Sequence, residues 1–252
     1  MRNKIFIIMT FFIGILIVTL FASMLFLQKR TITFLTTTKL EKQTTQKIKF
    51  FNSFLEHRVQ LINAISTNSE FINYVKTNKN KNIVHNLFIT QANTHFDMFQ
   101  LRYIDSKGFE KIRIDNYNTP RLLKDEELQN KKSRYYFVDT MKLTKEELYF
   151  SNFDLNVERG RIETAYIPTL RIAKPIVIDN KTYGILIINF NISEFLNQFR
   201  EMSLHNMTLF YADGNIIIDK NNKYSWSSDF KLKTKVNDLY TFLPKDMASF
   251  KE

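Results

Sequence analysis

The chain has 252 residues, 44% of them hydrophobic, and a formal net charge of +11. That hydrophobic share is enough for a proper core and excludes a disordered chain, while the length allows one large or two modest domains. The absence of Cys excludes a disulfide framework, a thiolate metal site and a Cys nucleophile.

The first element is an uncharged run from Ile5 to Leu27. At about 1.5 Å per residue it reaches roughly 34 Å, against a hydrocarbon thickness of about 30 Å. It is too long for the apolar region of a signal peptide, and no small-x-small cleavage site follows it, so it reads as an uncleaved anchor in a lipid bilayer. Arg2 and Lys4 precede the run and Lys29 and Arg30 follow it, so the positive-inside rule alone does not orient it.

Neither Gly nor Pro occurs between Gly14 and Gly108, which predicts helix. From Arg30 onward, Ile48, Phe51, Leu55, Val59 and Ile62 recur at spacings of three and four and form one apolar stripe. Such a stripe packs on its own domain or on a second copy of itself. Residues 78–82 are a polar break, and helix is expected again over Ile83–Thr94.

Strand patterning begins at Met98–Ile104, followed by a turn at Asp105–Gly108 and a second run, Phe109–Asp115, which makes a hairpin. Residues 116–147 read as loop-rich. Leu148–Phe153, Ile167–Val177 and Tyr183–Asn191 are strand-like, the last two joined by a turn at Asp179–Lys181. Helix is expected at Ser193–Met202 with Ser193 as its cap. A third hairpin is expected from Met207–Tyr211 and Asn215–Asp219. Gly108, Gly160, Gly184 and Gly214 are all expected at turns, and none belongs to a phosphate-cradling loop. Strands near in sequence and joined by tight turns predict an antiparallel sheet in an α+β fold.

An N-terminal membrane helix, a long juxtamembrane helix and PAS-like sheets resemble the extracytoplasmic double-Cache (double PDC) sensor domains of bacterial histidine kinases, diguanylate cyclases and chemoreceptors. Arg102-Tyr103-Ile104-Asp105 with Gly108, Glu110, Arg113 and Asp115 resembles one hairpin of that superfamily. Tyr149-Phe150-Ser151, Asp154-Leu155-Asn156, Glu158-Arg159-Gly160 and Ile162-Glu163 resemble its next segment. Pro168, Arg171, Ala173 and Pro175, then Gly184–Asn189, resemble its closing strands.

The resemblance implies an organisation: a cytoplasmic tip at 1–4, a transmembrane helix at 5–27, a long helix at 28–75, a membrane-distal PAS-like sensor domain at 76–204 and a membrane-proximal domain at 205–252. It implies a small-molecule ligand, a homodimer seam along the long helix, and a bacterial inner-membrane protein whose bulk is extracytoplasmic. It also implies a second membrane helix and an output module. Their absence from the chain as read makes it a fragment or a receptor whose output another protein supplies.

Candidate ligand-binding residues follow from the same reading. Strand periodicity puts Ile185, Ile187, Asn189 and Asn191 on one face, and a buried amide such as Asn189 must find partners. Amine-binding relatives carry an Asp where Asn189 stands, so the resemblance points away from amino groups and leaves a polar or anionic ligand. Arg134, Tyr135 and Tyr136 resemble the pocket-covering element of such domains. Arg offers a fork for carboxylate or phosphate. The competing reading places Arg134 with Lys131 and Lys132 on a solvated loop. Asp154 and Arg171 complete the candidates, Arg171 standing equally as pocket cation or surface charge. Arg102, Asp105, Arg113 and Asp115 can form ion pairs across the hairpin, usually structural ones, and Arg113 and Asp115 are read as structural.

No catalytic constellation is visible. The four His are scattered, and no metal-ligand spacing, nucleophile elbow or phosphate loop occurs. No cofactor and no enzymatic activity are therefore expected. A membrane-anchored hydrolase or a binding protein without a signalling role is the alternative class. The basic residues are dispersed among acids without a nucleic-acid-binding signature, so nucleic acid is not an expected partner.

Overall fold

A computed structural model describes residues 2–158, 160–164, 166–202, 208–219 and 222–232. Backbone packing divides the chain into two units, Met1–Phe51 and Asn52–Glu252. The first unit lies entirely within helix α1, which runs Arg2–Ser66. By length and composition this helix can cross a membrane. Its apolar side chains over Ile5–Leu27 are exposed, as those facing lipid are.

In the second unit the end of α1 buries Phe54, Leu61, Ile62 and Ile65. The buried seam is therefore turned from the predicted stripe: Ile62 lies at its centre, while Leu55 and Val59 are half-buried. Helix α2 (Ser69–Thr77) starts where the Asn68 side chain accepts from the N–H groups of Glu70 and Phe71, satisfying two free donors of the first turn. Asn78 and Asn80 take left-handed backbone conformations at the polar break and α3 follows (Lys81–Thr94). Asn tolerates this region better than most residues.

The core sheet is antiparallel. Its strands are β1 (Met98–Asp105), β2 (Glu110–Asn116), β3 (Pro120–Leu122), β4 (Tyr149–Phe150), β5 (Asp154–Leu155), β8 (Pro168–Ile178) and β9 (Lys181–Asn191). Their order is β3-β2-β1-β9-β8-β4, with β5 also on β8. A small ribbon is formed by β6 (Val157–Glu158) and β7 (Arg161–Ile162), and another by β10 (Leu209–Phe210) and β11 (Ile216–Ile218). Within the predicted loop, a short 3-10 turn (Asp125–Glu127) precedes α4 (Tyr135–Thr140). Helix α5 (Ser193–Glu201) follows β9.

Two sequence expectations change. Gly184 lies inside β9 rather than at a turn, with φ +144°, and a Cβ there would sit 2.0 Å from the Ile104 carbonyl oxygen. Only glycine lets β1 and β9 close at this point, beside the register shift between Ile176 and Val177. Ser193 does not cap α5; the Asn191 side chain accepts from the Ser193 N–H instead. Of the third hairpin, Leu209–Phe210 and Ile216–Ile218 pair as expected, and Met207 lies outside the described residues. Most of residues 205–252 also lies outside them.

Candidate ligand site

Antiparallel register fixes which side chains share a face, because directly opposed residues point the same way. Asp115 opposes Gln100, Gln100 opposes Asn189, and Asn189 opposes Arg171. These four make one polar row across β2, β1, β9 and β8. The next row is Arg113, Arg102, Ile187 and Ala173. Beyond it the face turns apolar: Ile104, Ile185, Ile187 and Ala173 pack under Tyr136 and Phe137 of α4. The other face carries Tyr103, whose ring meets Phe71 of α2 edge-on at 5.4 Å. One side of the sheet is thus largely core, and the other is half core and half polar.

Over the polar half lies a cavity of about 180 Å³. Its cover is the segment Gln129–Lys131, docked on the first hairpin. The Lys131 N–H donates to the Gly108 carbonyl at 2.7 Å, and the Glu110 N–H donates to Gln129 at 3.0 Å. Gly108 permits this approach, since a Cβ there would lie 2.5 Å from the Lys132 Cβ, and its φ is +87°.

The polar row is cross-linked by side chains. Arg102 is 3% exposed and donates to the Asn189 Oδ1 at 2.8 Å and to the Tyr136 hydroxyl at 3.2 Å. Asn189 in turn donates to the Gln100 Oε1 at 2.8 Å. Arg171, 2% exposed, donates to Asp154 and, at 3.2 Å, to Asn156. The second Asp154 oxygen accepts from the Tyr135 hydroxyl at 2.9 Å. Arg113 holds Asp115 with two bonds and reaches Glu158 at 3.4 Å.

Electrostatics follow from this crowding of cations. Burial alone would raise the Tyr136 phenol, yet Arg102, Lys131 and Arg134 outweigh it and bring the group below its ordinary value. Burial lowers the Lys131 ammonium. For Arg171, burial pulls down but Asp154 more than restores it, leaving the guanidinium above its ordinary value. Tyr135 is pushed up, first by burial and then by Asp154, against the pull of Arg171.

The sequence of the chain matches the family model described as bacterial histidine kinase, sensor domain, over residues 38–231. The chain belongs to that family. Among curated proteins no sequence matches it. In solved structures the fold resembles a domain of a sensory box/GGDEF family protein from Vibrio parahaemolyticus, with TM-score 0.69 and 19% identity over 79% of this chain and 78% of that one. It equally resembles the extracellular domain of a protein described as a histidine kinase, vpHK1S-Z8, with TM-score 0.69 and 18% identity over 79% and 74%. The ligand-binding domain of the Campylobacter jejuni chemoreceptor Tlp3, solved with L-norvaline, is similar at TM-score 0.53 and 16% identity over 71% and 67%. The α+β fold is thus that of Cache-type sensors, and this chain is a sensor region of a bacterial signal-transduction receptor.

In this sensor domain four of the expected residues, Arg134, Tyr136, Arg171 and Asn189, line one cavity. Tyr135 and Asp154 stand behind Arg171 as its partners. Lys131, Gln100 and Arg102 are among the other lining residues, which sequence reasoning did not place there. Lys131 is buried rather than on a solvated loop. Gln100 hides in an apolar run. Arg102 pairs with Glu110 at 3.5 Å, not with Asp105. Asp105 instead accepts the Lys107 and Phe109 N–H groups and shapes the turn. The Asp154–Glu163 run is held by Arg113 through Glu158 and by Asn156 through Glu163; Arg159 lies outside the described residues. Two larger hollows, of 360 and 550 Å³, contain no unpaired buried polar atom among the described residues. Those residues also contain no cluster of His, Asp and Glu suited to a metal.

Proposed function

We propose that this sensor region lies on the extracytoplasmic side of the bacterial inner membrane and recognises a small molecule in the cavity over the polar row. Residues 76–204 form the membrane-distal ligand-binding domain, and residues from 205 onward belong to a membrane-proximal domain. The observation that carries this reading is the cavity itself: Arg134, Tyr136, Arg171 and Asn189 converge there from α4, β8 and β9. Pockets with a few convergent polar groups are the usual place for a small ligand.

Arg171 and Asn189 form the floor, Arg134 and Tyr136 the wall, and Tyr135 with Asp154 fixes Arg171 in place. The chain pairs with a second copy along α1, as the exposed apolar residues of its first unit suggest. A ligand acts by favouring one of two states of such a receptor.

The test is a thermal-shift screen of the full chain in detergent against a small-molecule library, with Val157→Trp as control. Val157 lines the cavity, and a Trp there would fill it. Hits that stabilise the parent and not the variant are expected. Hits insensitive to Val157→Trp would place the ligand elsewhere and overturn the reading.

A further inference from the structure

The donors and acceptors around the cavity can be assigned without ambiguity from one fixed point. Arg102 can only donate, so the atom of Asn189 facing it at 2.8 Å is the carbonyl oxygen. The Asn189 amide nitrogen must then face Gln100, and the Gln100 atom it meets at 2.8 Å must be an oxygen. That leaves the Gln100 Nε2 with no partner, and it is buried. The Arg102 Nε is likewise buried and unpartnered. The two unmet polar atoms on cavity-lining residues are therefore both donors, lying behind the cavity wall, while the unmet acceptor beside them, Glu110 Oε1, already faces Arg102 and Arg113 at ion-pair distance.

Charge points the same way. The cavity walls and the ion pairs chained to them hold five cations, Arg102, Arg113, Lys131, Arg134 and Arg171. They hold four carboxylates, Glu110, Asp115, Asp154 and Glu158. One positive charge remains uncompensated. It falls on the Lys131–Arg134 side, where among the described residues the Lys131 ammonium bonds the Gln129 oxygen alone, at 2.6 Å. Among the described residues no carboxylate pairs with Arg134. An ammonium group would find one open carboxylate oxygen, Glu158 Oε2, since Arg113 and Gln129 both bond Glu158 Oε1 and both ends of Asn189 are engaged, but it would add to the positive excess. Size adds a limit, since a cavity of 150 Å³ takes up benzene, close to the 180 Å³ here.

We infer that the ligand is a compact monocarboxylate of roughly eight or fewer non-hydrogen atoms, without an amino group, its carboxylate received by Arg134 and Lys131. This rests on the cavity being the ligand site. It departs from the amino acid named with the Campylobacter jejuni neighbour.

Titration calorimetry of the full chain in detergent, with propionate, lactate, alanine, propylamine and inorganic phosphate as probes, tests it. Propionate or lactate should bind at least about tenfold more tightly than alanine or propylamine. Arg134→Gln should weaken that binding about tenfold or more, the range for a lost charge-assisted hydrogen bond. Arg134 makes no side-chain bond at the start of α4, so the variant keeps its fold, and an unchanged melting temperature verifies this. Preferential binding of alanine, propylamine or phosphate, lost in Arg134→Gln, would overturn the monocarboxylate class and leave the cavity as the site. Binding of any probe unaffected by both Arg134→Gln and Val157→Trp would overturn the site as well. No binding by propionate or lactate, with library hits that Val157→Trp abolishes, would again overturn the class alone.

Discussion

Asp154 gives one oxygen to Arg171 and the other to Tyr135, so a single carboxylate neutralises a guanidinium sunk into the sheet. Asp154→Asn keeps the shape and removes the charge. Breaking a buried pair from one side costs about 3 kcal/mol or more. Unfolding followed by Trp226, the single Trp, should show that loss, while Tyr135→Phe should cost only about 1 kcal/mol. The same Asp154→Asn change should raise propionate affinity, because it adds to the uncompensated positive charge. A variant both less stable and tighter-binding separates this role from plain packing.

Glu158 predicts the acid limb of stability. Burial pushes its carboxyl up, but Arg113, Gln129 and Lys131 outweigh burial and hold it below its ordinary 4.5. A depressed folded value means that its stabilisation is complete above pH 4.5 and is lost as pH falls through the folded value. Glu158→Gln should lower stability at pH 7 by about 1 kcal/mol and flatten the decline below pH 4.5. A melting-temperature series from pH 7 to acid reads both effects.

Tyr136 should ionise ahead of the other perturbed tyrosines. Its neighbours Arg102, Lys131 and Arg134 bring it below the ordinary 10.0 despite burial. Tyr74 and Tyr149, by contrast, are pushed up to about 12, chiefly by burial. An absorbance titration should show an early tyrosinate step below pH 10 that disappears in Tyr136→Phe. Persistence of that step would contradict the cationic surroundings described here.

The absence of Cys makes single-Cys crosslinking of α1 clean. Ile48 is 55% exposed, so Ile48→Cys should form a disulfide-linked dimer in membranes, and a Cys at the buried Ile62 should not. Equal or absent crosslinking at the two positions would count against pairing along this helix.

Much of the sheet was legible in the sequence, and the reasons are local. The hairpins β1–β2 and β8–β9 declare themselves by alternation and by turn residues that accept positive φ, as Asp179 and Asn180 do. Asn189 stood out because an amide among isoleucines needs partners. Lys131 and Gln100 did not stand out. A loop has no periodicity from which burial can be read, so Lys131 looked like its exposed neighbour Lys132. Gln100 sits between Phe99 and Leu101, where one polar residue in an apolar strand suggests only an edge. The partner of Arg102 depends on register: the β-bulge between Tyr103 and Ile104 sets Glu110 opposite Ile104, on the face that Arg102 shares, while Asp105, three residues along the same strand, points to the other. Gly184 looked like a turn because a close approach between strands leaves no mark in the sequence besides the glycine.

The strand β5 pairs through only two residues, Asp154 with Thr169 and Leu155 with Pro168. Backbone bonds flank it, from the Ser151 N–H to the Arg171 carbonyl and from the Asn156 N–H to the Ile167 carbonyl, both at 2.9 Å, and side chains add to its attachment. Arg171 and Tyr135 hold Asp154 from the cavity side, the Asp229 carboxylate accepts the Leu155 N–H at 3.0 Å, and the Tyr211 hydroxyl donates to the Phe153 carbonyl. So short a ladder resists little by itself. Charge and hydroxyl contacts thus reinforce this edge, with Arg171 at one end and Tyr211 and Asp229 at the other sharing the Phe153–Leu155 segment.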